Sequence, residues 1–209
     1  MRIIDLRAAD QPEAFMEAAR ALREGKLVAY PTESFYAIGA DAMNEDAVRA
    51  VFAAKKRGSE KPLPVILGDK SQIGRFTAGI SEGAKKAIKE LLPGPVTLIF
   101  HASAEAPFAL TAGTGKIAIR VPKQGVASRL ATAFDGAVTA TSANISGLPG
   151  LTDPEEVADN FPNVFMVLSG GITPGPPVST ILDVTVSPPR IVREGALSRD
   201  AIRRVFPGI

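Results

Sequence analysis

Apolar residues along this chain fall into short runs bounded by glycine, proline or small polar residues. Leu27, Val28, Ala29 and Tyr30 make one such run and read as a buried strand. Pro31 closes it, because proline has no amide hydrogen to give a sheet ladder. Upstream, Arg2 to Leu6 reads as an edge strand. Phe15, Ala18, Ala19 and Leu22 then recur on one face of a helix that Gly25 ends. Asp10 with Glu13 makes a capping-box-like start for that helix, and Pro12 suits its first turn. A second helix begins behind Asn44, a good N-cap. Val48, Val51 and Phe52 share its apolar face, so they belong to the core. The pattern ends this helix in Lys55, Lys56 and Arg57, with Gly58 as its stop. Leu63 to Leu67 is the next strand, and Pro64 puts it at an edge or a bulge.

The second half continues the alternation. Ser81 caps a helix that runs through Lys89 to Leu92, Pro93 to Pro95 form a sharp turn, and Val96 to Phe100 is a strand closed by His101. The segment from Ala104 to Thr111 reads as loop. TAGTGK at 111–116 lacks the glycine spacing and the hydroxyl after lysine of a phosphate loop, so it reads as a turn before strand 117–121. A helix near Val126 to Phe134 precedes strand AVTAT, the turn SANISG at 142–147 and a weak helix around Pro154 to Asn160. Strand NVFMVL leads into a glycine- and proline-rich segment, SGGITPGPPVST, expected to cross a site as a loop. Strands STILDV and RIVR follow, Gly195 turns the chain, and Ser198 caps a final helix through Val205. Strands alternating with helices make this an α/β protein. With no repeat and no linker, residues 1–209 read as one domain.

Composition narrows the chemistry. Of 209 residues, 45% are hydrophobic, enough for a real core, and 22% are charged, which argues against disorder. A net charge of +2 does not demand a nucleic-acid partner, so any basic surface must be local. The absence of cysteine excludes disulfides, thiol catalysis and cysteine metal sites, and the single histidine, His101, excludes a multi-histidine metal site. The N-terminus lacks the apolar core of a signal peptide, and no apolar run is long enough to span a bilayer. The expectation is a soluble cytoplasmic protein with no membrane contact.

Polar groups gather at strand ends. Thr32, Glu33, Ser34 and Tyr36 follow LVAY, and the cationic helix end at Lys55 and Arg57 belongs to the same βαβ unit. Ligands of open α/β sheets bind outside the carboxyl ends of strands. A solvated basic helix end, favoured by the helix dipole, would read the same way. Arg120 is the informative residue of its strand, because an arginine among Ile117, Ala118 and Ile119 needs a partner, structural or an anionic ligand. Ser142, Asn144 and Ser146 line another strand end, where turn chemistry alone also accounts for them. Asp183 and Glu194 read as structural. No residue stands out as a catalytic acid or base, and no carboxylate set orients a metal.

Taken in order, PTESFY, KKRGSEKPL, PGPVT, AIRVP, TSANISG, STILD and IVREG resemble the motifs of the YrdC family, the threonylcarbamoyl-AMP synthases, from about Leu27 to Ala196. The resemblance implies one concave α/β domain around a twisted, mixed, open sheet. It implies a nucleotidyltransferase that joins L-threonine, bicarbonate and ATP into threonylcarbamoyl-AMP with release of pyrophosphate. That product serves the threonylcarbamoyl modification of adenosine 37 in tRNA, so proteins of that pathway are implied partners. By motif, Lys55, Arg57, Ser142, Asn144, Ser179, Thr180 and Arg193 are expected at ATP, and Thr32, Ser34, Tyr36 and Arg120 at threonine. Mg²⁺ is expected with the ATP. Displacement between anions needs charge neutralisation and alignment, which dispersed lysine, arginine and hydroxyl groups with Mg²⁺ can supply. Three positions depart from the family pattern: Ser34 replaces a threonine, Ala37 a glycine, and Ile66 a histidine found in many members close to threonine. Two other readings stand beside this one. One is a divergent paralogue, though such relatives tend to lack the K-x-R and S-x-N elements kept here. The other is a module that binds tRNA or double-stranded RNA without catalysis, which the near-balanced charge weighs against.

Overall fold

A computed structural model describes residues 1–7, 11–58 and 61–209. In chain order its elements are β1 (Arg2–Asp5), α1 (Pro12–Arg23), β2 (Val28–Pro31), β3 (Tyr36–Gly39), α2 (Glu45–Ala54), β4 (Pro64–Ile66) and a 3₁₀ helix at Lys70–Arg75. Then come α3 (Glu82–Leu91), β5 (Val96–His101), α4 (Phe108–Thr111), β6 (Lys116–Arg120), α5 (Val126–Phe134), β7 (Val138–Thr139) and β8 (Thr141–Ser142). The chain ends with α6 (Pro154–Asn160), β9 (Met166–Ser169), β10 (Thr180–Asp183), β11 (Arg190–Arg193) and α7 (Arg199–Val205). The expected α/β class with mixed strands holds, and the described strands divide between two sheets. One has the order β1-β9-β2-β3-β8 and the other β11-β10-β5-β6-β4-β7. Both mix parallel and antiparallel neighbours.

The period-2 pleat explains how the sheets are buried. In β2, Val28 and Tyr30 join a cluster with Phe15 and Leu22 of α1 and Leu130 and Phe134 of α5, while Ala29 points the other way into the main core. In β9, Met166 and Leu168 side with Val28 and Val167 sides with Ala29. Both faces of these strands are covered, which is why they read as unbroken apolar runs. In the second sheet Val65, Leu98, Ile119 and Leu182 enter the same main core. Their neighbours along each strand therefore look the opposite way, and that second face carries the site.

Several boundaries differ from expectation for local physical reasons. The AVTAT run is two strands, since Val138 and Thr139 pair with β4 whereas Thr141 and Ser142 pair with β3. The chain changes sheets at Ala140, whose amide still reaches Pro64 O. Pro64 is neither at an edge nor at a bulge. It is the first residue of an inner strand flanked by β6 and β7, a position that needs no ladder donor from it. Helix α2 stops at Ala54, and Lys56 rather than Gly58 adopts the left-handed conformation, with φ 48°. Lys56 N bonds Ala53 O and Arg57 N bonds Phe52 O, which is a Schellman closure. The segment expected as loop before residue 111 contains the single turn α4. Ser81, Asn44 and Ser198 cap their helices as expected. Asp10, expected to cap α1, lies outside the described residues, and Gln11 at the N-cap makes no side-chain capping bond. Among the described residues, no helix is long and apolar enough to cross a membrane.

Candidate functional site

The outward face of the second sheet floors a cavity of about 400 Å³. Its register brings together residues far apart in sequence. Ile66 stands opposite Arg120, Pro64 opposite Ala118, and Thr97 opposite Ile181, which in turn faces Arg193. All seven line the cavity. The 32–36 loop, Ser142 and the Val178–Ser179 segment form its walls. Among the described residues its charged lining is three arginines, Arg57, Arg120 and Arg193, against one carboxylate, Glu33. The cavity therefore favours anions, and its apolar floor strengthens that preference.

The 32–36 loop is built by Thr32. Its Oγ1 accepts bonds from the amides of Ser34 (3.2 Å) and Phe35 (3.3 Å) and donates to Phe35 O at 2.7 Å. Thr32 thus shapes the loop while its side chain stays on the cavity wall. Ser34 lies beside it, with the two hydroxyls 3.4 Å apart. Tyr36 is a buried residue of the cavity lining; its hydroxyl donates to Gly171 O at 2.7 Å, and burial pushes its pKa up. Gly175 N donates to Ser34 O. Through these two bonds the loop holds the glycine- and proline-rich segment, whose far end, Val178 and Ser179, reaches the cavity as expected. Gly195 is required by that far end, because a Cβ there would sit 2.2 Å from Val178 O.

Arg120 projects from the end of β6 into the cavity, with its side chain 14% exposed. Its Nε donates to Gly94 O at 3.3 Å, and its Nη2 lies 2.7 Å from the Glu33 carboxylate. The partner that an arginine in an apolar strand demands is therefore present. Arg57 reaches across α2's end toward Lys61 O and Pro62 O, with its guanidinium 5.9 Å over the Phe52 ring. Arg193 donates to Ser179 O at 2.7 Å, and Ser179 Oγ lies 2.9 Å from Thr97 Oγ1.

Three expected nucleotide residues stand behind the wall rather than in it. Lys55 is buried, with 2% of its surface exposed. Its ammonium donates to Ser142 O, to Asn144 O (3.0 Å) and to Asn144 Oδ1 (3.0 Å). All three of its donors are engaged by oxygens of the 142–144 loop. Burial, with Arg57 adding repulsion, pulls its pKa down to about 8. Asn144 is saturated too, since Oδ1 also accepts from Ser142 Oγ at 2.6 Å and Nδ2 donates to Ile145 O and Leu148 O. Thr180 is fully buried and exchanges bonds with the backbone of Leu197. Lys55, Asn144 and Thr180 thus hold the loops that present Ser142 and Ser179.

Asp183 and Glu194 are structural, as expected. Asp183 accepts from Lys116 Nζ at 2.9 Å and from Thr185. Burial pushes its carboxyl up, but the Thr185 and Lys116 bonds outweigh that and hold it below its ordinary value. Glu194 pairs with Arg199. His101 is exposed at the end of β5. Thr97 was not singled out by sequence, although a lone hydroxyl in the apolar run VTLIF was its signal. By sequence Glu33 reads only as a polar loop residue, since nothing in the order of residues shows that it faces Arg120.

Fold and site together define an α/β protein with an arginine-lined cleft for anionic ligands on one face of a mixed sheet. The model of the Sua5/YciO/YrdC family, described as telomere recombination, matches residues 20–195. This chain belongs to that family. A threonylcarbamoyl-AMP synthase from Pyrococcus abyssi is 36% identical over 205 residues, covering 98% of this chain and 60% of the relative. One from Bacillus subtilis is 36% identical over 192 residues, covering 91% of this chain and 56% of the relative. The structure of P. abyssi Sua5 complexed with L-threonine superposes with a TM-score of 0.93 at 35% identity, covering 100% of this chain and 62% of that one. The chain thus spans about six-tenths of the length of these relatives.

Proposed function

We propose that this chain carries threonylcarbamoyl-AMP synthase activity, joining L-threonine, bicarbonate and ATP with release of pyrophosphate. The observation that carries the reading is a single cleft lined by Arg57, Arg120 and Arg193 together with Ser142 and Ser179. In a relative, the same fold binds L-threonine. Arg120, with Thr32 and Ser34 beside it, takes the amino-acid carboxylate, because a guanidinium fork matches a carboxylate bidentately. Arg57 and Arg193 face the phosphates, with Ser142 and Ser179 contributing hydroxyls. Lys55, Asn144 and Thr180 act through these groups by fixing their loops, and Tyr36 does so through its bond to Gly171.

The chemistry asks little of the side chains beyond position and charge. Threonine's amine and bicarbonate give a carbamate and water. A carbamate oxygen then bonds to the α-phosphorus as the bond to the pyrophosphate oxygen breaks. Both partners are anions, so the arginines lower their mutual repulsion and hold them in line. Mg²⁺ would come in on ATP, held mainly by phosphate oxygens and water, with the hydroxyls of Ser142 and Ser179 in the cleft available to it. When bound, it neutralises phosphate charge.

The reading extends to tRNA modification in the cytoplasm, with tRNA and the enzymes that transfer the product to it as partners. Retention of both the K-x-R and S-x-N elements favours this over a non-catalytic RNA-binding paralogue. Incubation with ATP, Mg²⁺, L-threonine and bicarbonate should yield threonylcarbamoyl-AMP by mass analysis and stoichiometric pyrophosphate. Binding of RNA with no such product would overturn the proposal.

A further inference from the structure

Glu33 has no place in the proposed reaction, yet it lies in the cleft against the one cation assigned to the amino acid. The pair is asymmetric. Arg120 is fixed, since its side chain is largely buried and its Nε is tied to Gly94 O. Glu33 has solvent beside it to turn into, since its side chain is 52% exposed. Its backbone cannot carry that movement. Thr32 Oγ1 binds the amides of Ser34 and Phe35, and Ser34 O is held by Gly175 N. Rotation of the Glu33 side chain toward solvent is therefore the low-cost motion, and it uncovers the Nη face of Arg120.

We propose that Glu33 is a built-in stand-in for a ligand carboxylate, and that amino-acid binding is an exchange in which the ligand's carboxylate displaces it from Arg120. The inference rests on the amino-acid reading of this cleft. The largely buried guanidinium stays paired in both states, so the apolar strand around it never bears an uncompensated charge. The exchange also selects ligands. A carboxylate replaces the pair it breaks, whereas an amide or alcohol would have to break the pair and leave nothing in its place. Glu33 thereby weakens every ligand somewhat and those without a carboxylate most.

The test is calorimetric titration of the wild type and Glu33→Gln with L-threonine, sodium acetate and L-threoninamide, without ATP at fixed ionic strength. Acetate is the probe that needs only an accessible Arg120. Glu33→Gln should bind threonine and acetate about three- to fivefold more tightly, the range a half-exposed ion pair supports. The preference for threonine over threoninamide should narrow. Glu33→Ala should repeat the gain, and Arg120→Ala should abolish it in both backgrounds. Equal or weaker threonine binding in Glu33→Gln, with threonine bound by the wild type, overturns the inference. Acetate binding to neither form overturns it as well. If acetate behaves as expected and threonine binds to neither form, the stand-in role survives and the amino-acid reading fails.

Discussion

Replacing Lys55 by methionine separates a residue that holds a loop from one that holds a ligand. Methionine keeps most of the stem and removes the ammonium. Three buried acceptors, Ser142 O, Asn144 O and Asn144 Oδ1, then lose a charged donor. At about 1.5–3 kcal/mol for each such bond, the gross loss is about 4.5–9 kcal/mol. Against this, the variant no longer buries a charge. The depression of Lys55 from 10.5 to about 8 puts that relief at roughly 3 kcal/mol. The net expectation is a destabilisation of about 3 kcal/mol, or about 6–12 °C in Tm for a chain of this size. Urea unfolding gives the free energy, and hydrogen exchange should show the loss concentrated in the 142–146 amides. ATP affinity should fall as a consequence, in step with that local loosening. The sign with pH is also set. Folded Lys55 releases its proton near 8 and unfolded lysine near 10.5, so the folded state binds fewer protons between those values. Wild-type stability should therefore gain from this group as pH rises across that window, a gain absent in Lys55→Met. A variant as stable as wild type, with unchanged exchange at 142–146 but lost ATP affinity, would refute the reasoning and make Lys55 a direct phosphate ligand.

Other substitutions probe the rest of the cleft. Arg120→Lys keeps the charge and loses the planar fork, so it should raise the threonine requirement more than the ATP requirement in steady-state kinetics; equal effects would mark a general structural ion pair. Gly195→Ala places a methyl 2.2 Å from Val178 O and forces the Val178–Ser179 segment away, at about 1–3 kcal/mol, and should weaken ATP binding. Unchanged ATP affinity in that variant would detach the segment from the nucleotide. Asp183→Asn should cost about 1–3 kcal/mol at pH 7. Because the folded Asp183 value lies below its ordinary 3.8, the wild type loses this contribution as pH falls through that range, so the two curves should converge in acid.

Local grammar was legible in the sequence because it depends on neighbours only. The helices at Val126–Phe134 and Pro154–Asn160 lie where the pattern puts them, and the caps at Asn44, Ser81 and Ser198 need nothing beyond their own next turn. Arg120 also announced its need for an anion, since an apolar strand does not tolerate an unpaired guanidinium. Pairing across the sheets was decided by the tertiary structure. Nothing local to AVTAT says that Ala140 is a seam between two sheets, because strand partners are chosen by distant residues. Pro64 looked like an edge residue because its missing donor is visible in the sequence, while the neighbours that make it the start of an inner strand are not. The roles of Lys55 and Glu33 lie furthest from the sequence. Both are charged residues beside a ligand-side loop and read alike in one dimension. Lys55 meets three oxygens of the 142–144 loop and Glu33 meets Arg120, and in both cases the partners come from distant parts of the chain.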